Sequence, residues 1–269
     1  MISVVVAVRD LCCEKAVLEN LSGCGDEVIL VEGKNPSLQR NAGVAAASGN
    51  IIYFIDDDTK VDRHAYSIAE RRMADNPDIG VLGGPCLAPD TDSFTQKSFA
   101  AVFASPWATG KSSARYRKTG KERETDEKEL ILCNLFVRKE VIENAGGFRQ
   151  ELYPNEENEF LSRVQRSGFK IFYNPEVAVT RSHRKNHIEF FRQCFTYGKG
   201  RAEQTLFAFD AKDSINTVPA FFLIYLIYLA FTGPIAEEML PLVVYLVLNL
   251  GFSVSAAGKI KNPAFTLPV

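Results

Sequence analysis

Short apolar runs alternate with helix-like segments along the N-terminal part of the chain. The runs are rich in β-branched residues, which is typical of strands that are buried on both faces of a parallel sheet. Each intervening segment is long enough for one helix, and the second begins near Pro36 and is followed by Gly49. The predicted strands are "SVVVAV" (3–8), "EVILVE" (27–32) and "NIIYFI" (50–55), and the predicted helices lie around 13–21 and within 35–49. This alternation predicts an α/β fold with a mostly parallel sheet flanked by helices.

The pattern continues less regularly as far as residue 183. Helices are predicted at 63–75 and 94–105, a strand at 79–85, a strand and a helix within 130–148, and two short strands within 169–183. The segment 110–129 is rich in charge and has no apolar periodicity, so it is predicted to be an irregular segment, either a mobile lid or disordered.

Two uncharged apolar runs stand out near the C-terminus. Residues 218–233 and 239–257 contain no charged side chain, and each is close to the ~20 apolar residues that span a bilayer. Lysines lie before and after the pair, which by the positive-inside rule places both ends in the cytoplasm. A buried helical hairpin of a soluble core is the alternative. The predicted domains are 1–212, an α/β catalytic domain, and 213–269, a membrane region with transmembrane helices at about 217–233 and 239–258.

The composition narrows the class of protein. With 46% hydrophobic residues and a net charge of −2, the chain is an ordinary globular protein, and no nucleic-acid partner is expected because such proteins carry a basic excess. The six cysteines form no CxxC pair and no zinc-ligand spacing, which predicts reduced thiols in a cytosolic compartment.

Charged side chains follow each of the first three predicted strands. Asp10 follows the first, Glu32 the second, and the aspartates 56–58 the third. Parallel sheets bind ligands at the carboxyl ends of their strands, so these side chains predict a binding crevice.

The three aspartates alone allow several interpretations. They could form a metal site, a solvated strand end, or the nucleophile of a phosphatase with a DxDxT motif. The phosphatase motif does not fit, because Thr59 stands one position too early and Lys60 occupies the required place.

Longer segments carry a family resemblance. "SLQRNAGVAAASGNIIYFIDDD", "GGFRQELYPNEENEFLSRVQRSGFKIFYNPEVAVTRSH" and "QCFTYGKGR" resemble, in this order, segments of family 2 glycosyltransferases over roughly residues 1–205. The resemblance implies the Rossmann-like GT-A fold. Membrane-attached members that build polysaccharides or lipid-linked sugars are the most similar.

The resemblance implies a donor site at the aspartates. Asp58 would bind Mn²⁺ or Mg²⁺ directly, Asp56 would reach the ribose or the waters of the metal, and Asp57 would orient the loop beside the nucleotide sugar. His183 would complete the metal shell or contact the diphosphate. A divalent cation of this kind neutralises a diphosphate leaving group as its charge develops.

Other strand ends would bind the nucleotide. By resemblance, Asp10 and Glu32 would contact the base and ribose, and Lys34 and Arg40 would contact phosphate. For Arg40, a solvated charge on a helix surface is the alternative. Glu32 replaces the more usual aspartate, so UDP- and GDP-sugars both remain candidate donors.

The acidic cluster "NEENEF" would supply the base. An inverting transferase needs a carboxylate to take the proton of the acceptor hydroxyl. By position Glu157 is the first candidate and Glu156 the second, while Glu159 could serve or could pair with Arg163. An acidic first helical turn that is favoured by the helix dipole is the structural alternative.

The expected function is therefore an inverting, metal-dependent glycosyltransferase. It would move sugar from a nucleotide-sugar donor to a lipid-linked or polysaccharide acceptor, in contact with membrane lipids. Its expected location is the cytoplasmic face of the inner membrane, as a multi-pass protein. The alternatives are a catalytically inactive GT-A module that acts as a membrane scaffold, and a nucleotidyltransferase. The latter expects a glycine-rich loop that "VRDLCCEK" lacks.

Overall fold

The chain divides into two compact units, Met1–Thr196 and Tyr197–Val269. The computed structural model describes residues 1–21, 23–152, 155–207, 217–233 and 237–260. The predicted domain boundary at 212/213 lies outside these residues.

The helices and strands of the first part of the chain follow the predicted alternation. The strands are β1 (Ile2–Val8), β2 (Glu27–Glu32), β3 (Ile51–Asp56), β4 (Lys60–Val61), β5 (Ile79–Gly83), β6 (Cys86–Leu87), β7 (Arg123–Glu124), β8 (Leu135–Arg138), β9 (Lys170–Tyr173) and β10 (Val179–Thr180). The helices are α1 (Glu14–Asn20), α2 (Pro36–Ala46), α3 (Arg63–Asp75), α4 (Phe94–Ala104), α5 (Pro106–Thr109), α6 (Lys139–Ala145), α7 (Glu156–Arg166) and α8 (His187–Phe207). Short 3₁₀ turns lie at Leu11–Cys13, Gly110–Arg115 and Leu132–Asn134.

Seven strands form the central sheet, in the order β2-β1-β3-β8-β5-β9-β7. β1 is parallel to β2 and β3, and β5 is parallel to β9, whereas β8 is antiparallel to both β3 and β5. The α/β class with a mostly parallel sheet is thus confirmed. A second sheet has three strands in the order β4-β10-β6.

The core occupies both faces of the central sheet. Along β3, Ile52 and Phe54 point into one apolar cluster, and Tyr53 and Ile55 point into the other. This alternation explains why the strand is continuously apolar, since neither face meets water. Gly43 of α2 packs so closely on β1 that an added Cβ would lie 2.4 Å from Cγ1 of Val5.

The segment 110–129 is folded, contrary to the prediction of an irregular lid or disorder. It begins with the 3₁₀ turn at Gly110–Arg115 and contains β7, which pairs with β9 at the edge of the sheet. Its charges contact each other and the rest of the unit, as in the ion pair between Arg123 and Glu129 at 2.8 Å. The prediction depended on the lack of apolar periodicity in this segment, and ion pairs between its charged side chains stabilise it instead.

In the second unit, the two apolar runs form helices α9 (Val218–Thr232) and α10 (Leu240–Ile260). The hydroxyl of Tyr225 donates to the carbonyl of Glu238 at 2.6 Å, and the rings of Phe222 and Tyr245 lie 4.8 Å apart. In the described parts of the chain, no helix is both long and apolar enough to cross a membrane, so the predicted transmembrane hairpin is not found. α9 has 15 residues, fewer than the roughly 20 that a bilayer requires.

Candidate active site

The carboxyl ends of the first three strands lie side by side. Val8 of β1 pairs with Glu32 of β2, and Ala7 pairs with Asp56 of β3. The strand-end side chains that the sequence singled out therefore share one edge of the sheet, where α/β folds bind their ligands.

Helix α2 is fixed to this edge by an amide that sequence reasoning missed. Gln39 is buried, and its Nε2 donates to the carbonyls of Val8 and Val31 at 2.7 and 2.6 Å. The side chain of Asn35 caps the start of the helix by accepting from the Ser37 N–H at 3.1 Å. The sequence did contain a signal for this contact. Gln39 and Gly43 are four residues apart, so they lie on one face of α2, the face that packs against the sheet.

Arg40 lies on the next position of α2 and connects two predicted acidic groups. Its Nη2 lies 3.2 Å from Oδ1 of Asp56, and its Nη1 lies 2.8 Å from Oε1 of Glu156. The side chain is only 8% exposed. Arg40 is therefore not a solvated helix charge, and it joins the strand-end aspartates to the acidic turn that begins α7.

Glu156 is the buried member of the acidic turn. Its Oε1 accepts from Arg40, while its buried Oε2 has no hydrogen-bond partner in the described structure. Burial raises the pKa of the Glu156 carboxyl, and the positive charge of Arg40 opposes this shift. A carboxylate with one uncommitted oxygen and a raised pKa has the properties of a general base.

Glu157, the first candidate for the base, points toward a different part of the unit. Its Oε1 accepts from Nη1 of Arg115 at 2.7 Å, and its Oε2 accepts from the Leu132 N–H at 2.9 Å. Both carboxylate oxygens are thus engaged, one with the 3₁₀ turn that begins the folded segment 110–129 and one with the turn that follows this segment. In a similar way Glu159 pairs with Arg163, the alternative that the sequence had left open.

A second arginine holds the aspartates. Arg181 forms an ion pair with Oδ2 of Asp56, and its Nη1 lies 3.9 Å from Oδ1 of Asp58. Burial raises the pKa of the Asp57 carboxyl, and the negative charge of Asp56 adds to the shift. The edge therefore carries more negative charge than its two arginines fully compensate.

His183 lies among aromatic rings. Its imidazole stacks with Phe103 at a centroid distance of 5.6 Å and lies 5.9 Å from the ring of Tyr116. Burial lowers the pKa of His183 to about 4, so the ring is neutral at neutral pH. Its backbone N–H donates to Oδ2 of Asp92 at 3.3 Å.

The remaining candidates lie at the exposed part of the edge. Asp10 accepts from the Cys12 N–H at 2.9 Å, and its hydrogen bonding to Cys12 lowers its pKa. Glu32 and Lys34 are exposed at the end of β2 and just after it.

The fit of a divalent cation differs among the predicted ligands. Both oxygens of Asp56 are engaged by arginines, and within the described residues no group of three His, Cys, Asp or Glu side chains could hold a metal. The set Asp56, Asp58 and His183 is therefore not assembled as a metal centre. Asp58 is 59% exposed and suits the binding mode in which Mg²⁺ or Mn²⁺ takes one or two carboxylates together with substrate phosphates.

Comparison with known proteins agrees with this architecture. Residues 15–146 match the family model described as glycosyl transferase family 2. No curated protein sequence matches the chain significantly.

Among solved structures, the chain is similar to the mannosyltransferase PcManGT from Pyrobaculum calidifontis in complex with GDP-Man and Mn²⁺. The identity is 14% and the TM-score 0.57, over 99% of this chain and 84% of that one. GalNAc-T7 with UDP, GalNAc and Mn²⁺ has 12% identity and a TM-score of 0.47, over 67% of this chain and 43% of that one. S. aureus TarS 1-349 has 13% identity and a TM-score of 0.46, over 76% of this chain and 65% of that one. Only the first similarity bears on the fold, since the other two TM-scores fall below 0.5. Residues 15–146 are thus similar to a glycosyl transferase family 2 domain, within a GT-A-like α/β fold.

Proposed function

We propose that the chain is an inverting glycosyltransferase that transfers a sugar from a nucleoside-diphosphate sugar, with UDP or GDP as the nucleotide, to a hydroxyl of a lipid-linked or glycan acceptor. The observation that carries this proposal is the bridge that Arg40 forms between Asp56 and Glu156. It brings the strand-end aspartates, which suit a donor, next to a buried carboxylate, which suits an acceptor.

Glu156 is the proposed general base. Its uncommitted Oε2 would accept the proton of the acceptor hydroxyl as that oxygen attacks the anomeric carbon from the face opposite the diphosphate. The bond from the anomeric carbon to the diphosphate oxygen breaks with its electron pair leaving on the diphosphate, and the configuration inverts. Glu157 instead positions the start of α7 through Arg115 and Leu132.

The donor side uses the edge residues in the roles that the family resemblance suggests. Asp10 and Glu32 would contact the base and ribose, and Lys34 would contact phosphate. Asp58, with Asp57 beside it, would hold Mn²⁺ or Mg²⁺, which when bound neutralises the charge of the diphosphate. Asp56 holds Arg40 and Arg181 in place at this edge.

The second unit is proposed to meet lipid at the cytoplasmic membrane face. Helix α9 exposes large apolar side chains, among them Phe221, Ile224, Tyr228 and Phe231. Exposed apolar side chains of this size favour contact with the acyl boundary of a lipid surface, because the contact removes apolar area from water.

The decisive experiment compares Glu156→Gln with Glu157→Gln in two assays. Calorimetry measures binding of UDP and GDP with Mn²⁺, and sugar release or transfer is followed with a panel of UDP- and GDP-sugars. E156Q is expected to bind the nucleotide like the wild type and to lose roughly 10²–10⁴-fold in turnover. Asp58→Asn is expected to lose the metal-dependent part of nucleotide binding.

The proposal fails if the folded wild type binds neither UDP nor GDP in the presence of Mn²⁺. Nucleotide binding without turnover of any donor would instead support the inactive scaffold. Full turnover in E156Q would show that Glu156 is not the base.

A further inference from the structure

The backbone of Arg181 is positioned by the three-stranded sheet β4-β10-β6, whose strand β4 follows the aspartates 56–58. Its backbone N–H donates to the carbonyl of Leu87 at 3.0 Å. The preceding residue, Thr180, pairs with Lys60 of β4, only two positions after Asp58. Strand pairing thus fixes the backbone of Arg181 beside the aspartate edge, the end of β3 and the turn after it that carry Asp56, Asp57 and Asp58.

The contacts of Arg181 give the edge a resident positive charge. The guanidinium forms an ion pair with Asp56 and lies 3.9 Å from Oδ1 of Asp58, and its side chain is 22% exposed. A guanidinium is charged at every physiological pH. Its charge therefore lies where the family resemblance expects the charge of a divalent cation.

The two contacts of Arg181 differ in strength. The approach to Asp56 is a direct ion pair, whereas the 3.9 Å distance to the more exposed Asp58 is a looser electrostatic contact. Arg40 has no such loose contact, because it is tied to Asp56 on one side and to buried Glu156 on the other. Arg181 can thus give up Asp58 while it keeps Asp56.

We propose that Arg181 is an internal counter-cation of Asp58, which a divalent cation must replace in order to bind that carboxylate. The inference rests on the proposed function for the role of the cation, but not on the transfer reaction itself. Arg181 keeps the repelling aspartates together in the metal-free protein, and its charge sets how weakly the edge binds a divalent ion before the donor arrives.

The test is binding of Mn²⁺ alone, measured by the loss of the free-ion signal in electron paramagnetic resonance, with no nucleotide or acceptor present. Arg181→Gln is expected to bind Mn²⁺ about tenfold or more tightly than the wild type, because it removes a close repelling charge. Asp58→Asn in the R181Q background is expected to abolish the gain.

Arg184→Gln is the matched control, since it removes an exposed arginine three positions away whose charge also acts on Asp58. The gain in R184Q is expected to stay below about threefold, because exposed charges are screened by solvent. Arg181→Lys provides a second variant that retains a positive charge, and a smaller gain than in R181Q is expected. Circular dichroism establishes which variants are folded.

The inference is overturned if the folded R181Q and R181K variants bind Mn²⁺ no more tightly than R184Q. The same holds if the gain in R181Q persists in the D58N background. Failure of the proposed function gives a different result, namely a normal Mn²⁺ response in a chain that turns over no sugar donor.

Discussion

Arg115 provides the sharpest test of the separation between Glu156 and Glu157. Its guanidinium donates to the carbonyls of Glu127 and Lys128, to Asn158 and to Glu157, with donor–acceptor distances between 2.6 and 2.7 Å. The arginine side chain is 8% exposed and that of Glu157 is 16% exposed. This ion pair is therefore largely buried. Removing the guanidinium of Arg115 would leave the carboxylate of Glu157 as an uncompensated buried charge.

Arg115→Met is expected to destabilise the protein by about 3–5 kcal/mol, the usual cost of breaking a buried ion pair from one side. For a unit of this size, each kcal/mol lowers the midpoint of thermal unfolding by about 2–4 °C, so a decrease of roughly 10 °C is expected. Differential scanning calorimetry measures this midpoint. Arg166→Met is the matched control, because Arg166 is exposed on the same helix as Glu157 and should change stability by about 0.5 kcal/mol or less.

The double variant R115M/E157Q separates pairing from general damage. Because Glu157 no longer carries a charge in it, the double variant should be less destabilised than the sum of the single variants, with a coupling of about 1–3 kcal/mol. If E157Q lost about 100-fold in turnover while its unfolding midpoint stayed unchanged, the structural role of Glu157 would be refuted and it would be the base.

Three further predictions concern pH, packing and lipid contact. Because burial raises the pKa of Glu156 and a base acts only when ionised, the turnover rate should fall with decreasing pH at a midpoint above the ordinary value of about 4.3; a midpoint at that value would contradict the assignment. Gly84→Ala should lower the unfolding midpoint measured by circular dichroism, because the added Cβ would lie 1.8 Å from the carbonyl oxygen of Val177. Gly198→Ala, with nothing within 4 Å of its Cβ, should instead be neutral or stabilising by about 0.5–1 kcal/mol. Phe231→Ser, at an 88% exposed position, should weaken flotation with anionic lipid vesicles about tenfold; equal flotation would count against lipid contact through α9.

The strands of the central sheet could be predicted because a strand that is buried on both faces is a continuous run of apolar residues in the sequence. Ile52 and Phe54 pack on one face and Tyr53 and Ile55 on the other, so an uninterrupted apolar run was the expected signal. The direction of β8 could not be predicted in this way. Apolar composition reports burial, whereas an antiparallel neighbour is selected by pairing with strands that are distant in the sequence.

The candidate site was predictable only at the level of its elements. Glu156 and Glu157 are adjacent at the start of α7, and successive helical residues point about 100° apart. Which of the two meets Arg40 depends on how α7 packs, and the family position alone favoured Glu157. Arg115 left no signal at all, because its segment lacks periodicity and its acidic partner lies 42 positions away.

The charge balance of the aspartate edge gives these observations a common physical basis. Two guanidinium groups, those of Arg40 and Arg181, face four carboxylates, those of residues 56, 57, 58 and 156. With all six groups ionised, the edge has a net charge of −2. Burial raises the pKa of Asp57, and the negative charge of Asp56 adds to the shift. One divalent cation would balance the excess of these six groups. Among the three carboxylates that pair with these arginines, Asp58 has the longest contact, at 3.9 Å, and the most exposed side chain, so it is the one most available to a cation.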